Sequence, residues 1–174
     1  MPSVRLTRPE GAGDAWRQAW VNAIDHFEGR FPEAFRLAQD SGLGLIVQGG
    51  SAWTDYRASV IITPQLAASF GIAVRVQGLG RYYALQLTQD GQALLVKRHG
   101  TNTVLARRGL NWLLGGSYHL ELEAVGARLR AWADGELLFD LIDEEAPLSG
   151  GAVALLCETG CVTTNAVKVA PAGT

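Results

Sequence analysis

Long apolar runs, clusters of basic residues and dense cysteine are all missing from this sequence. No stretch of about 18 consecutive apolar residues occurs, so no transmembrane helix is predicted. No run of Lys or Arg stands out among the 15 basic and 17 acidic residues, which give a formal net charge of −2. Nucleic acids and acidic membranes are bound through basic patches, so neither is an expected partner.

The cysteine count excludes a disulfide framework. Only two are present, Cys157 and Cys161, and small secreted domains usually have more. The N-terminus has no apolar segment of signal-peptide length, so the expected compartment is the cytoplasm, where thiols stay reduced. A hairpin between the two cysteines would bring them face to face. Neither their spacing nor that of the three histidines matches a zinc site, and no metal or cofactor is predicted.

Apolar residues and glycine are abundant. Hydrophobic residues make up 48% and charged residues 18% of the 174 positions, and 21 are glycine. This composition is typical of a globular chain, and the length predicts one domain over 1–174. From Gly42 onward, runs rich in Val, Ile, Leu, Tyr and Trp alternate with Gly-bearing turns about every 8–12 residues, which is the pattern of an all-β protein.

Turn chemistry and side-chain alternation refine this prediction. Asp90-Gly91 and Asp134-Gly135 are two-residue hairpin signals because both residue types tolerate a positive φ. Gly126 and the segment around Leu79 also fit tight reversals. Apolar and polar residues alternate within most runs, so one face of each strand is core and the other is exposed. The sequence therefore predicts a two-sheet antiparallel sandwich. Its core is expected to contain Tyr56, Ala58, Val60, Ile62, Ile72, Val74, Val76, Leu85, Leu87, Leu94, Val96, Leu120, Leu122, Leu129, Leu137, Phe139, Ala154 and Leu156.

The first 40 residues have a weaker pattern. Trp16, Trp20, Ile24 and Phe27 recur at helical spacing, yet WVNAI also reads as a strand. The segment EAFRLAQDSGLGLIVQG reads as strand, Asp-Ser-Gly turn, strand. We favour strands and irregular structure over a helix for this part of the chain.

These runs resemble a known family. FRLAQDSGLGLIVQGGSAWTDYRASVIITPQLAASFGIAVRVQGLGRYYALQL, LEAVGARLRAWADGELLFDLID and PLSGGAVALLCE resemble the C-terminal module attached to many bacterial ADP-ribosylglycohydrolase-family proteins. More distantly, the order of motifs is similar to laminin-G-like and 3-keto-disaccharide hydrolase-like domains. The resemblance implies a concanavalin A-type jelly roll, here either a separate module or an excised piece of a longer protein.

The resemblance also carries functional expectations. It implies a non-catalytic accessory module that binds a sugar or an ADP-ribose-like group, while the glycohydrolase chemistry belongs to a separate helical partner domain. Relatives often have an Asp in the final strand, which helps to hold calcium in some of them. This chain has Thr164-Asn165-Ala166-Val167 there, so the resemblance does not extend to a structural calcium.

A polar sheet face is the predicted ligand site. Arg and amide side chains bind hydroxyl and anionic groups, and an aromatic ring stacks on the apolar side of a sugar. Such residues fall on neighbouring predicted strands, although a one-residue slip would exchange Tyr82 for Tyr83 on the face. The predicted contacts are Arg57, Arg75, Gln77, Tyr82 and Lys97, with Gln86 beside them.

Two alternatives stay open. Paired carboxylates could hydrolyse a glycoside, and Glu121 and Glu123 share a strand face while Asp55 is a third candidate. A structural module for docking or dimerisation would instead expose an apolar patch. Trp53, Asp55 and Tyr56 are expected mainly to anchor the core. Trp132 is either a ligand platform or a cation–π partner of nearby arginines.

Overall fold

The computed structural model describes residues 3–7, 20–30 and 34–173. These residues form thirteen strands and no helix, which confirms the all-β prediction for the described part of the chain. The strands are β1 (Val4–Thr7), β2 (Val21–Ala23), β3 (His26–Arg30), β4 (Ala34–Gln48), β5 (Tyr56–Leu66), β6 (Ser69–Gly78), β7 (Arg81–Thr88), β8 (Gln92–His99), β9 (Thr101–Gly109), β10 (Tyr118–Val125), β11 (Arg128–Ala133), β12 (Glu136–Ile142) and β13 (Ala152–Pro171).

The strands form two antiparallel layers that pack face to face. The β10 layer has the order β12-β11-β10-β5-β13, and the β7 layer has the order β13-β6-β7-β8-β9. β10 also contacts β6 and β7, with which it shares no ladder hydrogen bonds. The two layers therefore enclose a common interior, as the alternation predicted.

β13 belongs to both layers. Its first half pairs with β6, and its second half pairs with β5 and β1. β4 follows β13 through the same bend, because both halves of β4 pair with β13. The register shifts between Glu158 and Gly160, where Thr159 has a φ of 40°.

The predicted turn at Asp40-Ser41-Gly42 is therefore wrong. Residues 34–48 form one bent strand and not a hairpin. Gly42 has a φ of 75°, and its N–H donates to Thr159 Oγ1 at 3.0 Å. The turn-like residues thus provide the bend that takes β4 and β13 together from one layer to the other.

Upstream of β4 the described residues form strands, as favoured above. Trp20, Phe27 and Phe35 are buried and pack as a ring cluster, with the Phe27 and Phe35 ring centroids 5.8 Å apart. Trp16, which belonged to the helical alternative, lies outside the described residues.

Two of the predicted tight turns agree with their turn chemistry. Asp134 and Gly135 both have positive φ, at 49° and 83°, as a type I′ turn requires. Gly126 connects β10 to β11 with a φ of 54°. The two-residue turn predicted at Asp90-Gly91 is wrong, because Thr88 pairs with Gln92 across a three-residue loop in which only Gly91, at 79°, has a positive φ.

Three predicted core positions differ from the structure because the alternation shifts. In β8, Ala93 and Leu95 face the interior, whereas Leu94 is only partly buried and lies on the opposite face. Val96 is buried but lies on the same face as Leu94. Leu137 is 44% exposed, because a bulge at Ala131/Trp132 displaces β12.

The outer face of the β7 layer is apolar as well. Val76, Ala154 and Leu156, which were also predicted for the core, are buried on this outer face and not between the layers. The buried cluster on this face comprises Leu45, Ala73, Val76, Tyr82, Ala84, Ala152, Ala154 and Leu156. No helix among the described residues is long and apolar enough to cross a membrane.

Candidate functional site

Arg75, a predicted ligand contact, is 1% exposed. Its guanidinium donates to Leu148 O at 2.6 Å, to Thr54 O at 3.1 Å and to Gly126 O. It also donates to Asp55 Oδ1 at 3.1 Å. Arg75 therefore ties three loops together, and no part of it is presented to solvent.

A local change of strand geometry turns Arg75 inward. Arg75 has a φ of 51°, and the β6–β7 register is interrupted after Val74. Its N–H donates to the buried Tyr56 hydroxyl at 2.8 Å. The backbone thus departs from the alternation that would have placed Arg75 on the outer face.

Lys97 is also internal. Its ammonium lies 2.6 Å from Asp143 Oδ2, and the Tyr83 hydroxyl donates to the same oxygen at 2.6 Å. Lys97 also donates to the Ala146 carbonyl at 3.0 Å. The expectation that Lys97 meets solvent is therefore wrong, because a buried carboxylate and backbone carbonyls replace water around it.

We expect the buried Lys97–Asp143 pair to make the free energy of unfolding sensitive to acid. Burial raises the pKa of Asp143, but hydrogen bonds from Lys97 and Tyr83 outweigh burial and hold the pKa below its ordinary 3.8. Because the folded pKa lies below the unfolded one, the stabilisation is complete above about pH 4 and is lost as the pH falls through the folded value. The free energy of unfolding, measured from about pH 7 to about pH 2, should fall less steeply in Asp143→Asn than in wild type. Parallel curves would contradict this.

The other predicted contacts are dispersed. Tyr82 is 1% exposed on the outer face of the β7 layer. Gln77 is exposed at the end of β6, and its amide donates to Gly150 O at 2.7 Å. Arg57 lies on the outer face of the β10 layer. The structure therefore does not bring Arg57, Arg75, Gln77, Tyr82 and Lys97 onto one face.

The paired carboxylates lie in an ion-pair network. Glu123 is 5% exposed, and Arg130 Nη2 contacts its Oε1 at 2.6 Å while Arg57 Nη2 contacts its Oε2 at 3.0 Å. Arg57 also reaches Glu121 Oε2 at 3.3 Å. Both oxygens of Glu123 are occupied by guanidinium groups, which is the arrangement of a structural ion pair and leaves no free oxygen to act on a glycosidic bond.

Trp132 and Asp55 have structural partners. The guanidinium carbon of Arg57 lies 3.9 Å from the Trp132 ring centroid, which covers that face of the indole. Asp55 Oδ1 accepts from Arg75 and, at 2.9 Å, from the Gly126 N–H. Tyr56 is fully buried, with Trp53 packed edge-on at 5.9 Å. The Trp-x-Asp-Tyr segment thus has the anchoring role predicted for it.

A groove lined by both polar and apolar side chains lies elsewhere, on the outer face of the β7 layer. Its volume is about 250 Å³. We call it the Gln86 groove. It is lined by Leu43 of β4, Ser69 of β6, Gln86 and Thr88 of β7, Leu94, Val96 and Arg98 of β8, Asn102 and Val104 of β9, and Glu158 of β13.

Strand pairing brings the polar lining together. Ser69 is the Cα partner of Glu158, and Ser69 Oγ donates to Glu158 Oε1 at 3.2 Å. The Gln86 amide donates to Ser69 Oγ at 3.3 Å. A hydrogen-bonded chain thus crosses β13, β6 and β7 and fixes the orientation of the Gln86 side chain.

Arg98 forms the opposite side of the groove. Its Nη1 donates to Asn102 Oδ1 at 3.3 Å. Its Nε is buried and has no hydrogen-bond partner among the described residues. Because Nε is closed to solvent, it is closed to a ligand as well, and Arg98 presents to the groove the guanidinium end that contacts Asn102.

Solved structures show the same architecture. Carbohydrate binding module CBM66 from Bacillus subtilis superposes with a TM-score of 0.76 at 18% identity, over 87% of this chain and 95% of that one. The fold is a galectin-like, concanavalin A-like β-sandwich. A protein of unknown function with a galectin-like fold, also from Bacillus subtilis, gives a TM-score of 0.73 at 11% identity, over 98% and 96% of the two chains.

A third similar structure is the exoplasmic/lumenal domain of VIP36 in a Ca²⁺- and mannose-bound form. It gives a TM-score of 0.72 at 13% identity, over 98% of this chain and 90% of that one. No family model matches the chain, and no curated protein matches it. At these identities the likeness establishes the fold.

Within the described ranges of this galectin-like sandwich, no group of three or more His, Cys, Asp or Glu side chains is placed to hold a metal ion. Cys157 is buried and Cys161 partly buried, and both are free thiols. The hairpin that would have joined them does not form, because both lie within the continuous strand β13.

Most residues of the Gln86 groove were missed by the sequence reasoning. Gln86 was noted as a polar neighbour, but Ser69, Arg98, Asn102 and Glu158 were not singled out. Leu94 was assigned to the core and instead lines the groove. The available signal was the alternation of β8, where placing Lys97 inside automatically places Leu94 and Arg98 outside.

Proposed function

We propose that this protein is a non-catalytic module that binds a carbohydrate in the Gln86 groove. The observation that carries the proposal is the groove itself, in which the Arg98 guanidinium lies with the amides of Gln86 and Asn102 and with the apolar side chains of Leu94 and Val96. Sugar hydroxyls both donate and accept hydrogen bonds, so one hydroxyl can accept from Arg98 while others pair with the amides. The fold shared with a carbohydrate binding module and with a mannose-bound domain supports this proposal.

The chemistry of the groove fits a sugar ring. Glu158 and the Gln86 amide oxygen accept hydrogen bonds, and Arg98 and the amide nitrogens donate them. Leu94 and Val96 supply apolar surface against which the C–H groups of a ring pack. Both charge signs are present, so the groove favours a neutral, hydroxyl-rich ligand over a polyanion.

Replacing Arg98 by methionine tests the proposal. Isothermal titration calorimetry with neutral mono- and oligosaccharides, and with ADP-ribose, identifies a ligand of the wild-type protein. Because a hydrogen bond from a charged donor contributes about 1.5–3 kcal/mol, Arg98→Met should raise the Kd of that ligand about 10- to 150-fold.

Arg128→Met is the matched control. Arg128 lies on the other layer, where it pairs with Asp140 at 2.7 Å, and its loss should leave the Kd unchanged. Circular dichroism melts verify that both variants fold. Wild-type affinity in folded Arg98→Met, or no binding of any saccharide by the wild-type protein, would refute the proposal.

The partner is a further part of the proposal. The resemblance of the WTDY, WADG and PLSGGAVALLCE segments to modules of ADP-ribosylglycohydrolase-family proteins supports a role beside such an enzyme. Co-purification with a helical glycohydrolase domain, compared with the isolated module, tests this role separately from sugar binding.

A further inference from the structure

A second depression lies on the outer face of the β10 layer, on the opposite side of the sandwich from the Gln86 groove. Its volume is about 370 Å³. We call it the Lys168 depression. Its outward-facing lining is Arg5 of β1, Ala166 and Lys168 of β13, Ser59 and Ile61 of β5, and His119 and Glu121 of β10.

The strand register orders its charges. Arg5 is the Cα partner of Lys168, Lys168 of Ser59, and Ser59 of Glu121. Neighbouring strands are about 4.8 Å apart, so the backbone positions of Lys168 and Glu121 are about 10 Å apart across β5. Two cations therefore lie at one end of the row, a hydroxyl in the middle and a carboxylate at the other end.

The neighbouring row along the same strands has balanced charges. There, Arg57, Glu123, Arg130 and Asp140 are successive cross-strand partners. The first three form close ion pairs. Alternating signs of this kind are the usual way to cover an exposed sheet face.

Arg5 and Lys168 break that pattern. Both are exposed and lie directly opposite each other, an arrangement that disfavours folding through like-charge repulsion. Neither forms an ion pair with any carboxylate in the described part of the chain. An anionic group bound between them would relieve the repulsion and supply the missing partner.

The other end of the depression restricts the ligand. Glu121 Oε2 is held by Arg57 at 3.3 Å, and His119 Nε2 lies 4.0 Å from its Oε1. A carboxylate and an imidazole bind hydroxyls well, and the carboxylate repels a second negative charge. The ligand should thus carry its anionic group at one end and hydroxyls at the other.

We propose that the Lys168 depression binds the uronic acid residue of an acidic saccharide. The sugar carboxylate lies between Arg5 and Lys168, and the ring hydroxyls reach Ser59, His119 and Glu121. This site is separate from the Gln86 groove, so the module can contact two different parts of a heteropolysaccharide. The proposal does not depend on whether the Gln86 groove binds sugar.

Titration of glucuronate and galacturonate oligosaccharides into the full chain tests the site. The double variant Arg5→Gln/Lys168→Gln should raise the Kd at least about tenfold, since both charged partners of the carboxylate are lost. Arg128→Gln, on the same face but paired with Asp140, is the matched control and should bind as wild type. The Kd of any neutral glucose or galactose oligomer that binds should be the same for the double variant as for the wild-type protein.

Two further titrations distinguish the possible outcomes. Arg98→Met should leave uronate binding intact, so that failure of one site is distinguished from failure of the other. Polyglutamate offers the same carboxylates without sugar hydroxyls, and it should neither bind comparably nor compete. Uronate binding that survives the double variant, no uronate binding by the wild-type chain, or equal binding of polyglutamate would each overturn the proposal.

Discussion

Replacing Asp143 by alanine should lower the free energy of unfolding by about 3–5 kcal/mol, because it leaves the ammonium of Lys97 buried without its carboxylate. The side chains of Lys97 and Asp143 are 9% and 4% exposed. The change also removes the acceptor of the Tyr83 hydroxyl. Urea denaturation followed by tryptophan fluorescence measures the loss.

Asp140→Ala is the matched control for this prediction. Asp140 is an exposed carboxylate of β12 that pairs with Arg128 at 2.7 Å, and such surface pairs contribute about 0–1 kcal/mol. The double variant Lys97→Met/Asp143→Leu should recover most of the stability, since it removes both buried charges together. A single Asp143→Ala change that costs as little as the control would disprove the structural role of the pair.

Replacing Arg75 by methionine should lower the free energy of unfolding by about 3–5 kcal/mol, because it leaves three backbone carbonyls without their donor. Methionine fills much of the same space but cannot donate hydrogen bonds. The carbonyls of Thr54, Gly126 and Leu148 then lose their donor, and each buried unpaired polar group costs about 1–3 kcal/mol.

Arg108→Met provides the comparison for Arg75. Arg108 is exposed and pairs with Glu136 at 2.5 Å, so its replacement should cost less than about 1 kcal/mol. Arg75→Lys should recover little, because an ammonium cannot reproduce the planar fork that reaches four acceptors. Wild-type stability in Arg75→Met would show that the loops do not depend on this side chain. Thermal melts give an independent measure of both variants.

The fold was predictable because its signals are local. Alternation of apolar and polar residues along β10 depends only on side chains within one strand. The Asp-Gly and Gly turns likewise act through their own backbone preferences, as at Asp134 and Gly135, where both φ values are positive. Such signals indicate strands and hairpins without any knowledge of what packs against them.

The candidate site was less predictable because its signals are non-local. The sequence around Lys97 predicts a surface residue. Lys97 is buried because Asp143, which is distant in sequence, lies beside it in the folded protein. Assigning Lys97 to the outside shifts the whole of β8 by one position and moves Leu94 and Arg98 to the wrong face. Arg75 was misplaced for a related reason, since the acceptors that hold its guanidinium inside lie in three loops outside its own strand.

The Gln86 groove illustrates the same limit. It takes side chains from six strands, and each of them, such as Ser69 or Asn102, is unremarkable in its own segment. What makes them a site is the register of β13, β6, β7, β8 and β9. Register is set by contacts between residues far apart in sequence, which a single sequence does not specify.

The place of β13 in both layers affects how the chain can fold. Until residues 152–171 have left the ribosome, β5 and β6 each lack the neighbour that completes their layer. The earlier strands can form hairpins during synthesis, but the sandwich closes only when its last strand arrives. Because these long-range pairings must form late, folding should be slow, and the strand edges of the earlier strands stay exposed in the meantime.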